Sequence, residues 1–476
     1  MNQQNTPLFN ALSNHSKRLT ISMHVPGHKY GQNFPSFGLD YYEKLLQIDA
    51  TEISGLDDLH DPEGVILEAE QLTANLYGVE RSYFLVNGST VGNLAMILSV
   101  CSQNDIVLVQ RNSHKSILNG LKLSGARPIF LSPEFDDEAQ VASFVSYDTV
   151  KRALSEYPNA KAIILTSPNY YGMSNPSELA GIIELAHLHK IPVLIDEAHG
   201  AHFIVDGFPP SVITLGADIV VQSAHKTLPA MTMGSYLHWN SKLLSKESVE
   251  VYLRMLQSSS PSYPIMASLD LARYHLANYK KEGTTQIIEK ILRFKEELLK
   301  IPQITVIESQ KTGVHTDSLK ITIQSQCKYN GYQLQSLFEE VGVFTELADP
   351  NNVLFVLPLT EAVDYEEVVN KIKGQLQGFK VEKKRFRQQT NLSEKITTLP
   401  IFYNEIKGYN KKVVSFKQAV GKISGEMIVP YPPGIPILME GERITEGHIE
   451  LLSTYIDSGA RFQGGDMESR LITILE

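Results

Sequence analysis

Residues 162–199 read AIILTSPNYYGMSNPSELAGIIELAHLHKIPVLIDEAH, and this stretch decides the fold. AIILT (162–166) and PVLID (192–196) are short apolar runs, and SELAGIIELAHLHK between them has the apolar spacing of a helix. Strand, amphipathic helix and strand make one crossover unit of a parallel sheet. The alternation extends from about residue 83 to 238. YFLV (83–86), DIVLVQ (105–110), PIFL (128–131) and DIVVQ (218–222) are further apolar runs, separated by helical patterns such as VGNLAMILSVCS and TVKRALSEY. Runs without polar alternation are strands covered on both faces. An α/β domain with a mostly parallel central sheet is predicted, with ligands at the carboxyl ends of its strands.

The composition fits such a protein. Of 476 residues, 42% are hydrophobic and 20% charged, which excludes fibrous, low-complexity and wholly disordered classes. At roughly 150 residues per domain, about three domains are expected, none needing disulfides to hold a core. Lys and Arg number 43 against 53 Asp and Glu, a net charge of −10. That balance argues against nucleic acid or an anionic membrane as partner. Cys101 and Cys327 are too few for a disulfide framework or a Cys-based zinc site. The N-terminal residues lack the apolar core of a signal peptide, and no apolar run reaches 18 residues. A soluble, cytoplasmic protein is expected.

After a helical stretch (285–300) the character changes. Residues 304–377 read strand, helix, strand, strand, helix, a small α+β domain. The charged stretch FKVEKKRFRQQTNLSEK (379–395) reads as a solvated linker or helix face rather than an RNA contact, and leads into a last unit of about 80 residues.

Four strand ends carry chemistry. Ser223-Ala224-His225-Lys226 follows DIVVQ directly. Desolvation there would lower the lysine pKa and make its amine a nucleophile for a carbonyl; the plain alternative is a surface lysine in a loop. Asp196-Glu197-Ala198-His199 ends PVLI. Its first carboxylate is either a structural ion-pair member or the group that keeps a heteroaromatic nitrogen protonated, with the small Ala198 leaving room for a flat ring. Asn87-Gly88-Ser89-Thr90-Val91-Gly92-Asn93 follows YFLV and opens a helix. Its hydroxyls and helix N-terminus suit a phosphate, unless Ser89 or Thr90 is only a cap. Arg111-Asn112-Ser113-His114-Lys115-Ser116 follows DIVLVQ and can supply an imidazole to stack on a ring.

With these in place, the chain resembles the fold-type-I pyridoxal-phosphate enzymes, specifically the Orn/Lys/Arg (group III) decarboxylase family. Further motifs carry the resemblance: His24-Val25-Pro26-Gly27-His28-Lys29, Leu56-Asp57-Asp58-Leu59-His60-Asp61-Pro62-Glu63-Gly64, Tyr431-Pro432-Pro433-Gly434-Ile435-Pro436 and Glu440-Gly441-Glu442. Met439 stands where the family commonly has Pro. The length resembles the shorter Gram-positive-type members, without the extra N-terminal domain of the large inducible enzymes. The resemblance implies an N-terminal segment (1–45), a large cofactor-binding domain (46–295), a small α+β domain (296–380) and a C-terminal α+β decarboxylase domain (381–476). It implies pyridoxal 5'-phosphate held covalently by Lys226, with Asp196 on the pyridine nitrogen, His114 on one ring face and Ala198 on the other. Ser89, Thr90, Ser223 and His225 would hold the phosphate, with His199 a cofactor neighbour. Gln257–Tyr263 (QSSSPSY) would lie near a homodimer interface. The implied reaction is decarboxylation of a basic amino acid, arginine before lysine or ornithine, yielding an amine for polyamine formation. His225 or Lys226 would return a proton to Cα. Asp58, Glu346 and Glu442 are candidates for the distal cation of the substrate.

Rival readings fare worse. DEAH also marks helicases, but the only Gly-Lys pair, Gly421-Lys422, is followed by Ile423 rather than Ser or Thr. Ser223-x-x-Lys226, Ser167-Pro168-Asn169 and Lys311-Thr312-Gly313 imitate a serine β-lactamase set in the wrong order. His24/His28 and His199/His202 do not make metal sites: Pro26 and Gly27 spoil a helical clamp, and no third ligand set follows. No metal is expected. An aminotransferase or an aldolase/β-eliminating lyase on the same fold remains the alternative.

Overall fold

The apolar runs of the sequence become strands buried along most of their length, as the absence of polar alternation requires. The computed structural model describes residues 1–18, 21–382, 394–431 and 434–476. The chain forms two compact units. The first takes Met1–Val100, Leu194–Asp206 and Pro210–Thr284; the second takes Cys101–Val193, Gly207–Pro209 and Thr285–Glu476. Most of the charged stretch 379–395 lies outside the described residues. No described helix is long and apolar enough to cross a membrane.

In the first unit the strand order is Arg81–Leu85, Ser235–Trp239, Ile219–Gln222, Val193–Asp196. Ser235–Trp239 runs antiparallel to both neighbours, and the last two strands are parallel. Leu85 pairs with Ser235, Gln222 with Tyr236, and Asp196 with Val221. The carboxyl ends of three strands therefore come level at one edge, so the loops that follow them emerge together. Helix Gly88–Val100 springs from that edge and packs on helix Lys246–Leu256. Helix Pro7–Ser16 packs on Val65–Tyr77 and Tyr263–Glu282. It is tied down by a fully buried pair, Arg273–Asp270 at 2.6 Å. Asp270 accepts from Leu8 and Phe9 N–H, and Arg273 donates to the Gln3 and Asn5 carbonyls.

In the second unit Ala162–Thr166, Ile106–Gln110 and Arg127–Leu131 are parallel neighbours, and Ile396–Thr398 closes their edge antiparallel. The crossover helix is Pro176–Leu188; Asn175 caps it by accepting from Glu178 N–H, with Pro176 in the first turn. Residues 304–377 differ from the expected order. Two paired strands, Ile304–Ile307 and Lys320–Ser325, precede helix Gly331–Glu339, followed by Leu347–Ala348, Asn352–Val356 and helix Tyr365–Leu376. The missed strand alternates about buried Leu319, Ile321 and Ile323, a period-2 pattern that the sequence reading passed over. The C-terminal residues build a three-stranded antiparallel sheet (Lys411–Ser415, Leu471–Leu475, Ile423–Ser424). With helix Glu446–Ser458 it encloses Phe416, Ile428, Leu438, Ile444, Leu452, Ile472 and Ile474.

Gly92 sets how closely helix Gly88–Val100 approaches its strands. A Cβ there would stand 2.7 Å from Leu85 Cδ1 and 2.9 Å from Val221 Cγ1. Gly92→Ala should overpack this contact at a cost of about 1–3 kcal/mol, offset by about 1 kcal/mol of helix propensity. Chemical denaturation should find the variant less stable; equal or greater stability would mean the strand and helix part freely.

Candidate active site

Three loops meet at the level edge of the first unit. Asp196 ends its strand and is 3% exposed. Its Oδ2 accepts from Asn93 Nδ2 at 2.9 Å and its Oδ1 from Ala198 N–H at 3.2 Å. Burial pushes the Asp196 carboxyl above its ordinary range, while the Lys226 charge, Asn93 and the Ala198 N–H pull the other way. A carboxylate whose partners fall short of its desolvation suits a cationic ring nitrogen. Asn93 lies on the second turn of helix Gly88–Val100, where its role was not read from the sequence.

Lys226 sits on a single helical turn, Ala224–Thr227, directly after the next strand. Its Nζ lies 3.1 Å from His199 Nε2. Ser223, the N-cap of that turn, places its Oγ 2.8 Å from Ser89 Oγ. Ser223 N–H also donates to the Ala198 carbonyl, locking the two loops together. His225 donates from Nδ1 to the Gly234 carbonyl at 3.0 Å. Thr90 is exposed on the first turn of helix Gly88–Val100. Two hydroxyls at a helix start, an amine and a buried carboxylate on one edge fit the phosphate, aldehyde and ring nitrogen of pyridoxal phosphate. The Ser-x-x-Lys of the rejected β-lactamase reading is this same strand-end turn. Among the described residues, no three His, Cys, Asp or Glu side chains gather as a metal site would need.

Behind Asp196 runs a buried network that sequence reading missed. Glu197 accepts from Ser211 Oγ at 2.7 Å, Val212 N–H at 2.8 Å and Gln222 Nε2 at 2.6 Å. Gln222 Oε1 in turn accepts from His238 Nε2–H at 3.1 Å, and His238 Nδ1 accepts from Ser82 at 2.8 Å. Burial holds His238 down at about 3, so it stays neutral and donates from one nitrogen only. The available signal was the polar side chains, Gln222, His238 and Ser82, set inside otherwise apolar strands.

Other motif residues have structural partners. Asp57 accepts from the N–H groups of Gly64, Ile66 and Leu67, capping helix Val65–Tyr77 from seven residues upstream. Burial opposes its charge, but these and neighbouring N–H groups hold its carboxyl below the ordinary range. Asp58 accepts from His60 N–H, and His60 reaches the Ser258 carbonyl at 2.8 Å. Gln257 accepts from Val86 N–H just before the Asn87–Asn93 loop, while Ser258–Ser260 are exposed.

His114, Glu346 and Glu442 belong to the second unit. His114 caps helix Lys115–Ser124, its Nδ1 2.8 Å from Ser116 Oγ. Glu346 is exposed, and among the described residues no side-chain partner engages its carboxylate. Glu442 forms a buried ion pair with Arg111 at 2.9 Å.

Two family models match the chain: the Orn/Lys/Arg decarboxylase major domain over residues 6–333 and the C-terminal domain over residues 379–469. The chain belongs to the Orn/Lys/Arg decarboxylase family. The uncharacterised protein YaaO of Bacillus subtilis (strain 168) is 46% identical over 99% of both chains. An arginine decarboxylase of the same organism is 34% identical over 98% of this chain and 96% of its own length. The solved structure of lysine decarboxylase A from Pseudomonas aeruginosa superposes with a TM-score of 0.80 at 19% identity, covering 99% of this chain and 80% of that one. The fold is thus fold type I, and the end-to-end Bacillus matches place the chain among the shorter Gram-positive-type members. It is an amino-acid decarboxylase of the basic-substrate family, and its cofactor is pyridoxal 5'-phosphate.

Burial pushes the Glu197 carboxyl up to about 7, despite its three donors. That lies above its ordinary 4.5, so the folded protein keeps a proton that the unfolded chain releases between those values. The contribution is full below pH 4.5 and lost as pH rises through 7, about 3 kcal/mol in all. Denaturation of wild type and Glu197→Gln at both ends of this window should show a smaller loss in the variant. Parallel pH dependences would remove Glu197 as the titrating group.

Proposed function

We propose that this enzyme decarboxylates L-arginine in preference to lysine or ornithine. The level edge that gathers Asp196, Lys226, Ser89 and Ser223 carries the cofactor part of this reading. Resemblance over 98% of the chain to an arginine decarboxylase carries the substrate part. When bound, pyridoxal phosphate supplies a sink for the electron pair left on Cα as CO2 departs. Lys226 would hold the cofactor covalently, with His199 fixing the Nζ position. Asp196 keeps a proton on the ring nitrogen, and Asn93 keeps Asp196 aimed. Ser89, Thr90, Ser223 and His225 grip the phosphate. His114 and Ala198 would take the two ring faces. The freed Lys226 amine or His225 returns a proton to Cα.

Glu346 is the best of the three partners for the distal cation. Asp58 is occupied by His60 N–H and Glu442 by Arg111, whereas the Glu346 carboxylate is uncommitted among the described residues. The active form is a cytoplasmic homodimer feeding polyamine formation. Support for the dimer comes from large apolar side chains crowded on one exposed segment of the first unit: Ile21, Met23 and Val25, then Phe37 and Tyr41, up to 88% exposed. We retain the four-part division 1–45, 46–295, 296–380 and 381–476 as the functional domain scheme.

Incubation with arginine should yield one CO2 and one amine per substrate consumed, with no keto acid required, and higher kcat/KM than with lysine or ornithine. Amino-group transfer dependent on a keto acid would overturn the reaction; a higher kcat/KM for lysine or ornithine would overturn only the substrate. Asp196→Asn should keep the cofactor bound yet lower turnover about 100- to 1000-fold, because a neutral amide cannot hold the ring nitrogen's charge. Near-normal turnover would remove Asp196 from that role.

A further inference from the structure

The Arg111–Glu442 pair of the second unit is buried and held by several further hydrogen bonds. Arg111 is 5% exposed at the end of strand Ile106–Gln110. Its Nη2 donates to Glu442 Oε2 at 2.9 Å and to the Ile437 carbonyl at 2.9 Å, and its Nη1 to the Pro436 carbonyl at 3.1 Å. Its guanidinium carbon lies 5.8 Å from the centre of the Phe130 ring. Glu442 Oε2 also accepts from Met439 N–H at 2.9 Å. One guanidinium thus gathers the segment 436–442 onto the strand end that leads, three residues later, to His114.

The same segment meets the helix that His114 caps. The Gly434 carbonyl accepts from Lys115 N–H at 3.3 Å, at the first turn of the helix that His114 caps. Gly434 has φ +90°, and a Cβ there would stand 3.2 Å from His114 Cδ2 and 3.3 Å from Nε2. A side chain there would press on the imidazole and strain a left-handed backbone, so glycine lets the turn sit close to the ring. The other edge of the ring is fixed by Ser116. The imidazole is therefore held between its own helix start and a C-terminal turn, and Arg111–Glu442 anchors that turn.

We propose that Glu442 is a positioning residue: through Arg111 it clamps the 434–442 segment so that Gly434 sets the His114 imidazole for ring stacking. This rests on the reading that His114 stacks on the cofactor. A side chain already neutralised by Arg111 and a backbone N–H is poorly placed to bind the substrate's cation. Releasing either charge would leave the other buried and unpaired, so the clamp holds firmly.

The test uses the full chain loaded with cofactor and four variants: Glu442→Gln, Gly434→Ala, His114→Ala and the double variant Glu442→Gln/His114→Ala. Glu442→Gln and Gly434→Ala should each lower kcat by up to about 100-fold with KM changed less than about twofold, as a misplaced group does. Both should alter the visible circular dichroism of the bound cofactor. In the His114→Ala background, Glu442→Gln should have little further effect on kcat or spectrum, because both act on one imidazole. Additive losses in the double variant would overturn the proposal, as would a raised KM with unchanged kcat, which marks direct substrate binding. If Glu442→Gln fails to fold, Gly434→Ala decides: wild-type kcat and spectrum there would overturn it. His114→Ala with wild-type turnover and spectrum would instead overturn the stacking reading, and the proposal with it.

Discussion

Two neighbouring carboxylates, Asp196 and Glu197, are buried at the end of one apolar strand, and the first unit is arranged around that constraint. An uncompensated buried charge costs several kcal/mol, so each side chain needs its own set of donors. Asp196 takes Asn93 and the Ala198 N–H; Glu197 takes Ser211, Val212 and Gln222. Supplying Asn93 fixes where helix Gly88–Val100 must lie, and hence the small residue at position 92. Supplying Gln222 commits the neighbouring strand, and through His238 and Ser82 the constraint spreads to all four strands of this unit. The loops at the active edge are thus held from beneath by hydrogen bonds as well as by packing.

The fold was largely legible because its signals are local. Mostly apolar runs of four to six residues, spaced by helical patterns, leave few alternatives to a parallel sheet. The loops bearing Ser89, Asp196 and Lys226 were legible for the same reason, since each follows a run directly. Asn93, Gln222 and His238 were not, because their meaning depends on register: nothing in the sequence says that Gln222 lies beside Tyr236, or that helix Gly88–Val100 turns Asn93 toward Asp196. The strand Lys320–Ser325 was lost to a shorter-range error, a period-2 pattern hidden in a polar segment.

Family motifs also mix chemistry with architecture. In Leu56–Gly64 (LDDLHDPEG), Asp57 spends its oxygens on the N–H groups that open the next helix, and Tyr263 donates its hydroxyl to the Asp57 carbonyl. In the C-terminal segment, Glu442 answers a guanidinium while Glu440 answers two lysines, Lys122 and Lys411. An acidic residue in a shared motif is therefore weak support for a substrate contact until its partners are known. Asp58 and Glu442 answer the protein's own groups, whereas among the described residues no side chain engages Glu346.

The anchoring of the N-terminal helix by Asp270 and Arg273 imposes an order on synthesis. Leu8 N–H finds its acceptor 262 residues downstream. At about 5–20 residues per second on the ribosome, that acceptor emerges about 13–50 s after the helix it holds. A ten-residue helix is marginal by itself in water, so until that acceptor is made Pro7–Ser16 can lean only on Val65–Tyr77, without its buried anchor. The first segment made is thus fixed only after more than half of the chain has followed it, and for that interval the face meant for Tyr263–Glu282 is open to whatever chaperones or nascent chains are near.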